Sequence, residues 1–217
     1  MAVALVPCQR TWIIRFVQAI SAGESILSNK QYIDAQQLLD DAFRLGLQVL
    51  ESDFRPHFIV GVWRGGAPVG IAVQELLEYF GIVTDHIAIR TSFYTAMGEH
   101  AEAVQVHGLG YVIDRLREAD SILIVDDVYD TGLSLQQVVA DILALCEDNP
   151  PEIRLATPYF KPGNNRTQRE PDYYLHKTDK WLVFPHELAG LTAQEILDNK
   201  PGVESLREKL ALRETIS

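Results

Sequence analysis

Two adjacent carboxylates, Asp126 and Asp127, follow a run of apolar residues and precede a short turn at residues 130–134. The apolar run is typical of a buried strand, and ligands of open α/β sheets bind at the carboxyl ends of such strands. In the turn, Gly132 permits close backbone approach, and a helix that begins there would offer free N–H groups and a favourable dipole to an anion. The segment therefore predicts a site for a phosphate monoester, with an acidic pair beside it.

A second turn could bind another anion. Residues 58–63 predict a buried strand, and Arg64, Gly65 and Gly66 follow it directly. Two glycines let backbone N–H groups approach a diphosphate, and the Arg64 guanidinium stays charged at physiological pH. Taken alone, such a turn is more typical of an ordinary strand-to-helix connection, so its interpretation depends on the first motif.

The surrounding pattern predicts the elements that position these turns. Helices are expected over 31–52, after Pro68 and over 134–146, and strands over 58–63, 86–91, 121–127 and 153–160. This alternation predicts an α/β fold with a parallel sheet flanked by helices. Residues 91–110 predict a long functional loop, and residues 161–188 a loop and hairpin off the main sheet. Thr192 and Glu195 form a capping box, which predicts a helix in the tail.

Composition limits the class of protein. The 217 residues carry a formal net charge of −11, with 47% hydrophobic and 23% charged residues. The acidic balance argues against a nucleic-acid partner, because nucleic acids reward clustered lysine and arginine. No stretch is apolar for long enough to cross a bilayer, so no membrane partner is expected. Cys8 and Cys146 lie far apart and indicate neither a disulfide framework nor a zinc site, which fits a cytoplasmic location.

Residues 122–134 closely resemble the phosphoribosyl pyrophosphate signature of type I phosphoribosyltransferases: four apolar residues, two acids, two spacers, then Asp-Thr-Gly-x-Ser/Thr. The resemblance implies that family's fold, with a small hood formed by the C-terminal hairpin segment. It also implies that the acidic pair holds the ribose hydroxyls and Mg²⁺, and that the loop holds the 5′-phosphate. The turn at Arg64 resembles the family's pyrophosphate loop, which often contains a cis peptide, here Trp63–Arg64. The implied ligands of phosphoribosyl pyrophosphate are Asp126, Asp127, Asp130, Thr131, Gly132, Leu133, Ser134, Arg64 and Gly65.

The C-terminal segment resembles the base-binding part of the members that act on hypoxanthine, guanine or xanthine. The resemblance implies that Lys161 donates to the purine O6 and that Trp181 stacks on the base, with Leu182 beside it. It further implies that Glu187 binds a second magnesium ion and pyrophosphate. The chemistry agrees, because an ammonium group has only donors and tryptophan offers a large π-face.

The resemblance implies a mechanism in which Asp130 shares the proton of the purine N7 as a general acid–base. A closing loop would exclude water from the reaction. Tyr94 lies in the corresponding stretch, where it either serves this loop or is an ordinary packed residue.

The predicted function is purine salvage by a magnesium-dependent pentosyltransferase, which joins a 6-oxopurine to phosphoribosyl pyrophosphate and releases pyrophosphate. A homodimer or homotetramer is expected. The alternatives are another base such as uracil, orotate or adenine, an unusual acceptor in specialised metabolism, or a regulator that only senses phosphoribosyl pyrophosphate. The predicted organisation is an extension at 1–30, a phosphoribosyltransferase domain at 31–190 whose base-binding hood covers about 158–190, and a helical tail at 191–217.

Overall fold

The computed structural model describes residues 30–95, 102–146 and 148–214. The helices are α1 (Ala35–Glu51), α2 (Gly66–Tyr79), α3 (Gly110–Ile113), α4 (Leu133–Leu145), α5 (Ala193–Asn199) and α6 (Arg207–Glu214). The strands are β1 (Lys30–Tyr32), β2 (Phe58–Trp63), β3 (Asp85–Thr95), β4 (Glu102–His107), β5 (Ser121–Val125), β6 (Val128–Tyr129), β7 (Glu152–Phe160), β8 (Tyr173–Lys177) and β9 (Trp181–Val183). None of these helices is long and apolar enough to span a membrane.

The main sheet places β5 at its centre and is largely parallel. Its strand order is β4-β3-β2-β5-β7-β6, and β8 pairs with β7. β2, β3, β5 and β7 pair in parallel, whereas β4 runs antiparallel to β3. The parallel sheet flanked by helices that the sequence predicts is therefore confirmed. The carboxyl ends of β2 and β5, which carry the two predicted turns, lie side by side because these strands are neighbours.

Helices cover both faces of the sheet, and this explains why β5 is apolar throughout. Alternate side chains of a strand point to opposite faces. Leu123 and Val125 accordingly join the core beneath α1 and α2, while Ile122 and Ile124 join the core beneath α4. All four are fully buried, so β5 is fixed from both sides and holds the residues that follow it in place.

The helix predicted over residues 31–52 begins later than expected. Asp34 is its N-cap and accepts the backbone N–H of Gln37 at 2.8 Å, so α1 starts at Ala35. Residues 30–32 form β1 instead. The sequence pattern missed this short strand because its partner, β9, lies at the other end of the chain.

Within the stretch 91–110, residues 91–95 and 102–107 form strands and not the long loop that the sequence predicts. β3 continues to Thr95 and β4 returns from Glu102 to His107, and the two strands pair in antiparallel register. In β4, Val104 and Val106 are half-buried and the residue between them is exposed, which is the period-2 pattern of a strand with one covered face.

The segment 161–188 is also not a hairpin. β8 joins the main sheet parallel to β7, and β9 pairs in parallel with β1, with Lys30 opposite Trp181. Two strands that run parallel cannot be joined by a tight turn, so the hood is assembled from distant parts of the chain. We use the name hood for β1, β9 and α5. The capping box predicted at Thr192 is present, and both of its hydrogen bonds form.

Candidate active site

The acidic pair lies at the carboxyl end of β5, where the sequence places it. The backbone N–H of Asp127 donates to Oδ1 of Asp126 at 2.9 Å. Burial raises the pKa of Asp127 to about 7, and the nearby Glu187 carboxylate adds to this effect. Burial, followed by repulsion from Asp127, raises the pKa of Asp126 well above its ordinary value. Two adjacent carboxylates with raised pKa values form a site that a cation would stabilise.

The turn after β2 packs directly against this pair. A Cβ atom on Gly65 would lie 1.9 Å from Oδ2 of Asp127, and one on Gly66 would lie 2.2 Å from the carbonyl oxygen of Val125. Only glycine fits at either position. The peptide bond between Trp63 and Arg64 is cis, as the resemblance implies. The two turns predicted from sequence therefore form one site.

We use the name phosphate loop for residues 130–134, whose turn depends on a left-handed glycine. Gly132 has φ 76° and sets the start of α4, which points its first N–H groups back toward the turn. The loop borders a cavity of about 260 Å³, of a size to take a small ligand group. Its lining includes Phe93, Asp126, Asp130, Thr131, Gly132 and Ser134. Sequence reasoning missed Phe93, which is 56% exposed and comes from β3, because a lone aromatic residue gives no signal.

Asp130 is held on both oxygens. Lys161 donates to Oδ2 at 3.0 Å, and the side-chain amide of Asn164 donates to Oδ1 at 2.8 Å. The Lys161 side chain is largely buried, whereas Asp130 is 41% exposed. The predicted general acid–base and the predicted base-binding lysine are therefore direct neighbours. Asn164 was not predicted, since nothing in the sequence distinguishes it from an ordinary loop residue.

The loop that follows Lys161 runs alongside the phosphate loop. The backbone N–H of Lys161 donates to the carbonyl of Tyr129 at 2.9 Å, and that of Arg166 donates to the carbonyl of Thr131 at 3.0 Å. The buried Tyr129 hydroxyl donates to the carbonyl of Arg169 at 2.9 Å. These bonds fix the base side of the site relative to the phosphate side.

The predicted base platform lies at the start of β9. The ring of Trp181 is 57% exposed, whereas Leu182 is buried in the core. Asp179, two residues before Trp181, accepts the backbone N–H of Gly163 at 2.9 Å. The segment that carries the exposed ring is thus tied to the loop that follows Lys161.

The turn after β9 brings further ionisable groups toward Asp127. Nε2 of His186 lies 3.6 Å from Oδ2 of Asp127. Glu187 accepts the backbone N–H of Phe184 at 3.0 Å, and its charge acts on Asp127. Burial lowers the pKa of His186, and burial also lowers the pKa of Lys200. Neither His186 nor Lys200 was predicted as part of the site.

The residues present fit magnesium bound together with substrate. Asp126 and Asp127 offer carboxylate oxygens, which are the ligands that this hard cation prefers. Within residues 30–95, 102–146 and 148–214, no group of three or more metal-binding side chains occurs. Magnesium commonly binds through one or two carboxylates plus substrate phosphates. Asp126 and Asp127 would therefore hold it with ligands from the substrate and water, and the role of Glu187 stays a prediction.

The predicted role of Tyr94 lies outside the described residues, because only the backbone of Tyr94 is described. Two residues earlier on β3, Oγ of Ser92 lies 3.2 Å from Nε2 of His107 on β4. The predicted N-terminal extension likewise lies outside the described part of the chain, apart from Lys30.

Comparison with known proteins agrees with this geometry. The family model of the phosphoribosyl transferase domain matches residues 28–189. No curated protein matches the chain. The crystal structure of a purine phosphoribosyltransferase from Pyrococcus horikoshii Ot3 is 30% identical in sequence, with a TM-score of 0.57, and the match covers 75% of this chain and 97% of that one.

Two more distant structures share the fold. A xanthine-guanine-hypoxanthine phosphoribosyltransferase from Helicobacter pylori is 19% identical, with a TM-score of 0.57 over 71% of this chain and 92% of that one. A hypothetical protein from Neisseria gonorrhoeae with bound ppGpp is 15% identical, with a TM-score of 0.62 over 75% and 91%. Since the family model spans most of the chain and its signature residues lie around one cavity, the chain belongs to the phosphoribosyl transferase family.

Proposed function

We propose that this protein transfers the phosphoribosyl group of phosphoribosyl pyrophosphate to a 6-oxopurine, namely hypoxanthine, guanine or xanthine, in purine salvage. One observation carries the choice of base. The ammonium of Lys161 and the carboxylate of Asp130 lie side by side, 3.0 Å apart. This pair presents a hydrogen-bond donor next to an acceptor. A 6-oxopurine presents the complementary edge, with O6 as acceptor and N7–H as donor.

The same pair disfavours a 6-aminopurine. An exocyclic amino group would point its hydrogens at the Lys161 ammonium, which has three donors and no acceptor. Because an ammonium has three N–H bonds, Lys161 can keep its bond to Asp130 while it donates to O6. Rejection of a base that leaves a buried polar group unpaired is typically strong.

The phosphate side supplies binding and orientation. The backbone N–H groups at the start of α4, with Thr131 and Ser134, would hold the 5′-phosphate in the cavity that they border. Arg64 and the Gly65 turn would hold the pyrophosphate. When bound, magnesium would neutralise charge on the leaving group. Positioning and electrostatic stabilisation would supply most of the rate.

Asp130 would then accept or share the N7 proton as the new bond forms at the purine nitrogen. Its two hydrogen bonds, from Lys161 and Asn164, fix the carboxylate plane. The exposed ring of Trp181 would stack on the base. A homodimer or homotetramer is proposed as the assembly, supported by the exposed apolar side chains Ile71, Tyr79, Phe80 and Val83 on and after α2.

The test is pyrophosphate release from phosphoribosyl pyrophosphate with hypoxanthine, guanine, xanthine, adenine, uracil and orotate in turn, with and without Mg²⁺. Release is expected with one or more 6-oxopurines and only with Mg²⁺. Lys161→Met should abolish it, while Lys209→Met, at an exposed lysine of α6, should not. Release with adenine or a pyrimidine instead would refute the 6-oxopurine assignment. Binding of phosphoribosyl pyrophosphate without release for any base would indicate a sensor.

A further inference from the structure

The C-terminal tail contributes a buried cation that the family match does not include. Lys200 lies beyond the matched residues 28–189, immediately after α5. Its side chain is nearly buried, with the residue 7% exposed, and its ammonium donates to the backbone carbonyl of Phe184. A lysine at a helix end normally extends its ammonium into water, so this burial requires an explanation.

The carbonyl that Lys200 holds belongs to a tight turn. The backbone N–H of Glu187 donates to the Phe184 carbonyl at 3.0 Å, and the Glu187 carboxylate accepts the Phe184 N–H, also at 3.0 Å. Lys200 is therefore the third anchor of a turn that already has two reciprocal bonds. Burial lowers the pKa of Lys200, and the negative charge of Glu187 opposes this lowering.

This turn faces the acidic pair. The rings of Phe184 and His186 stack with centroids 5.9 Å apart and planes 8° apart. Nε2 of His186 reaches to 3.6 Å from Asp127, and the Glu187 charge acts on the same carboxylate. A displacement of the turn would therefore move two charged or polar groups relative to Asp127.

The other end of α5 is fixed independently. Near its first turn, Glu195 accepts hydrogen bonds from Lys30 and, at 3.3 Å, from Tyr32, both on β1. Its other carboxylate oxygen completes the capping box with Thr192. Helix α5 is thus held at one end by β1 and reaches the Phe184 turn with the other.

We propose that Lys200 is a positioning residue for the pyrophosphate side of the site: it holds the Phe184–Glu187 turn in register with Asp127. The inference rests on the proposed function, since it assigns pyrophosphate to this side. The tail is then part of the working site rather than an appendage. Loss of Lys200 would impair the binding of magnesium pyrophosphate and spare the 5′-phosphate, which binds at the other end of the cleft on residues 130–134.

The experiment compares two ligands on four proteins. Affinities for magnesium pyrophosphate and for ribose 5-phosphate are measured by calorimetry on the full chain, as wild type, Lys200→Met, Lys200→Arg and Lys209→Met. Lys200→Met keeps the aliphatic stem and removes the donor. It should weaken the affinity for magnesium pyrophosphate about tenfold and leave the affinity for ribose 5-phosphate unchanged. Tenfold is the lower end of the range for residues that orient metal ligands. Lys200→Arg keeps charge and donor and should restore most of the affinity, and the exposed Lys209→Met should match wild type.

Equal loss of both ligands in Lys200→Met, or no loss beyond that of Lys209→Met, would overturn the proposal. If Lys200→Met does not fold, Lys200→Gln decides, because it keeps a polar end on the side chain but removes the charge and the reach to the Phe184 carbonyl. A selective loss of magnesium pyrophosphate then supports the role, and an equal loss or none overturns it. A wild-type protein that binds neither ligand would instead contradict the proposed function, and this inference would fall with it.

Discussion

Residues 121–134 build the phosphate loop from one continuous stretch, whereas the hood combines β1, near residue 30, with β9 and α5, about 150 residues later in the chain. In the phosphate loop, each conformational requirement is met by a neighbour: a buried strand, a left-handed glycine and a helix start. In the hood, the contacts that join separate elements are long-range, such as Lys30 with Glu195 or Lys200 with Phe184. Under the proposed function, the first region would hold the substrate phosphate, and the second would adjust the groups near Asp127. Substitutions in the two regions should therefore differ in kind as well as in size.

The largest effect is expected at Asp130. Asp130→Asn keeps the shape but removes the proton acceptor, so turnover should fall by about 10²- to 10⁴-fold, the typical contribution of general acid–base catalysis. Phosphoribosyl pyrophosphate affinity should change little, because backbone groups of the loop remain. Steady-state turnover and calorimetry measure the two quantities. Asp148→Asn, at an exposed residue after α4, is the control. Full turnover in Asp130→Asn would remove Asp130 from the mechanism.

Two glycines test how tightly each region is packed. Gly132 and Gly190 both have positive φ, 76° and 87°. A Cβ on Gly132 would lie 2.5 Å from the Tyr129 ring, whereas one on Gly190 would meet nothing within 4 Å. Gly190→Ala should cost about 1 kcal/mol of unfolding free energy for the left-handed backbone alone. Gly132→Ala should cost about 3 kcal/mol or more, because the ring must also move.

Chemical denaturation of the two glycine variants measures these costs. Equal losses of unfolding free energy would mean that the phosphate loop tolerates an added side chain as well as the segment between β9 and α5 does. The contrast between the regions would then disappear. Selective loss of ribose 5-phosphate binding in Gly132→Ala would strengthen the contrast.

A third prediction concerns the burial of charge at Asp127. Because burial raises the pKa of Asp127 to about 7, the folded state binds a proton more tightly than the unfolded state does. Stability of the metal-free protein should therefore fall as pH rises from the ordinary value of 3.8 to about 7, and then level off. Asp127→Asn removes the free-energy cost of burying this charge. It should raise the melting temperature above pH 7 by at least about 3 °C, with a smaller gain at acidic pH.

Thermal melts of the metal-free wild type and Asp127→Asn across this pH range provide the measurement. Addition of Mg²⁺ should raise the melting temperature of the wild type more than that of the variant. A gain in Asp127→Asn that did not depend on pH would mean that the carboxylate is not the source of the penalty.

The same contrast explains what the sequence could predict. The signature around Asp126 to Ser134 and the turn at Gly65 are local, so their spacing is enough to predict a candidate site. The neighbourhood of Asp130 and Lys161 could be expected only through the resemblance, and Asn164 gave no signal at all. Their proximity comes from the pairing of Lys161 N–H with the Tyr129 carbonyl, which is a tertiary contact.

The hairpin expected within 161–188 is wrong for a physical reason. β9 has three residues, and its partner β1 pairs with it in parallel across most of the chain. Such pairing leaves no turn signal between the strands, because a parallel pair needs a long connection. The local turn residues within 161–188 predict a hairpin instead. The loop predicted at 91–110 failed differently, because the clear alternation in β4 spans only Val104 to Val106 and is too short to predict a strand.

The smallest effect is expected at Glu195, which joins α5 to β1 within the hood. The hydrogen bond from Lys30 lowers the pKa of Glu195, with help from the backbone of Thr192. An ionised Glu195 therefore stabilises the fold above its ordinary pKa of 4.5, and this contribution is lost as pH falls through the lowered value. Glu195→Gln should cost about 1 kcal/mol near neutral pH, because one charge-assisted bond in a mostly buried position is weakened. Below the ordinary value of 4.5, the difference from wild type should shrink as pH falls further.

Urea denaturation of wild type and Glu195→Gln at neutral and acidic pH measures this difference, with Glu208→Gln on the exposed face of α6 as the control. Hydrogen exchange should locate the effect in β1 and α5 and leave residues 121–134 protected as before. Loss of protection throughout the sheet would show that the hood carries global stability. Because separate, long-range contacts hold the hood together, we expect the hood to open alone while the phosphate loop stays unchanged.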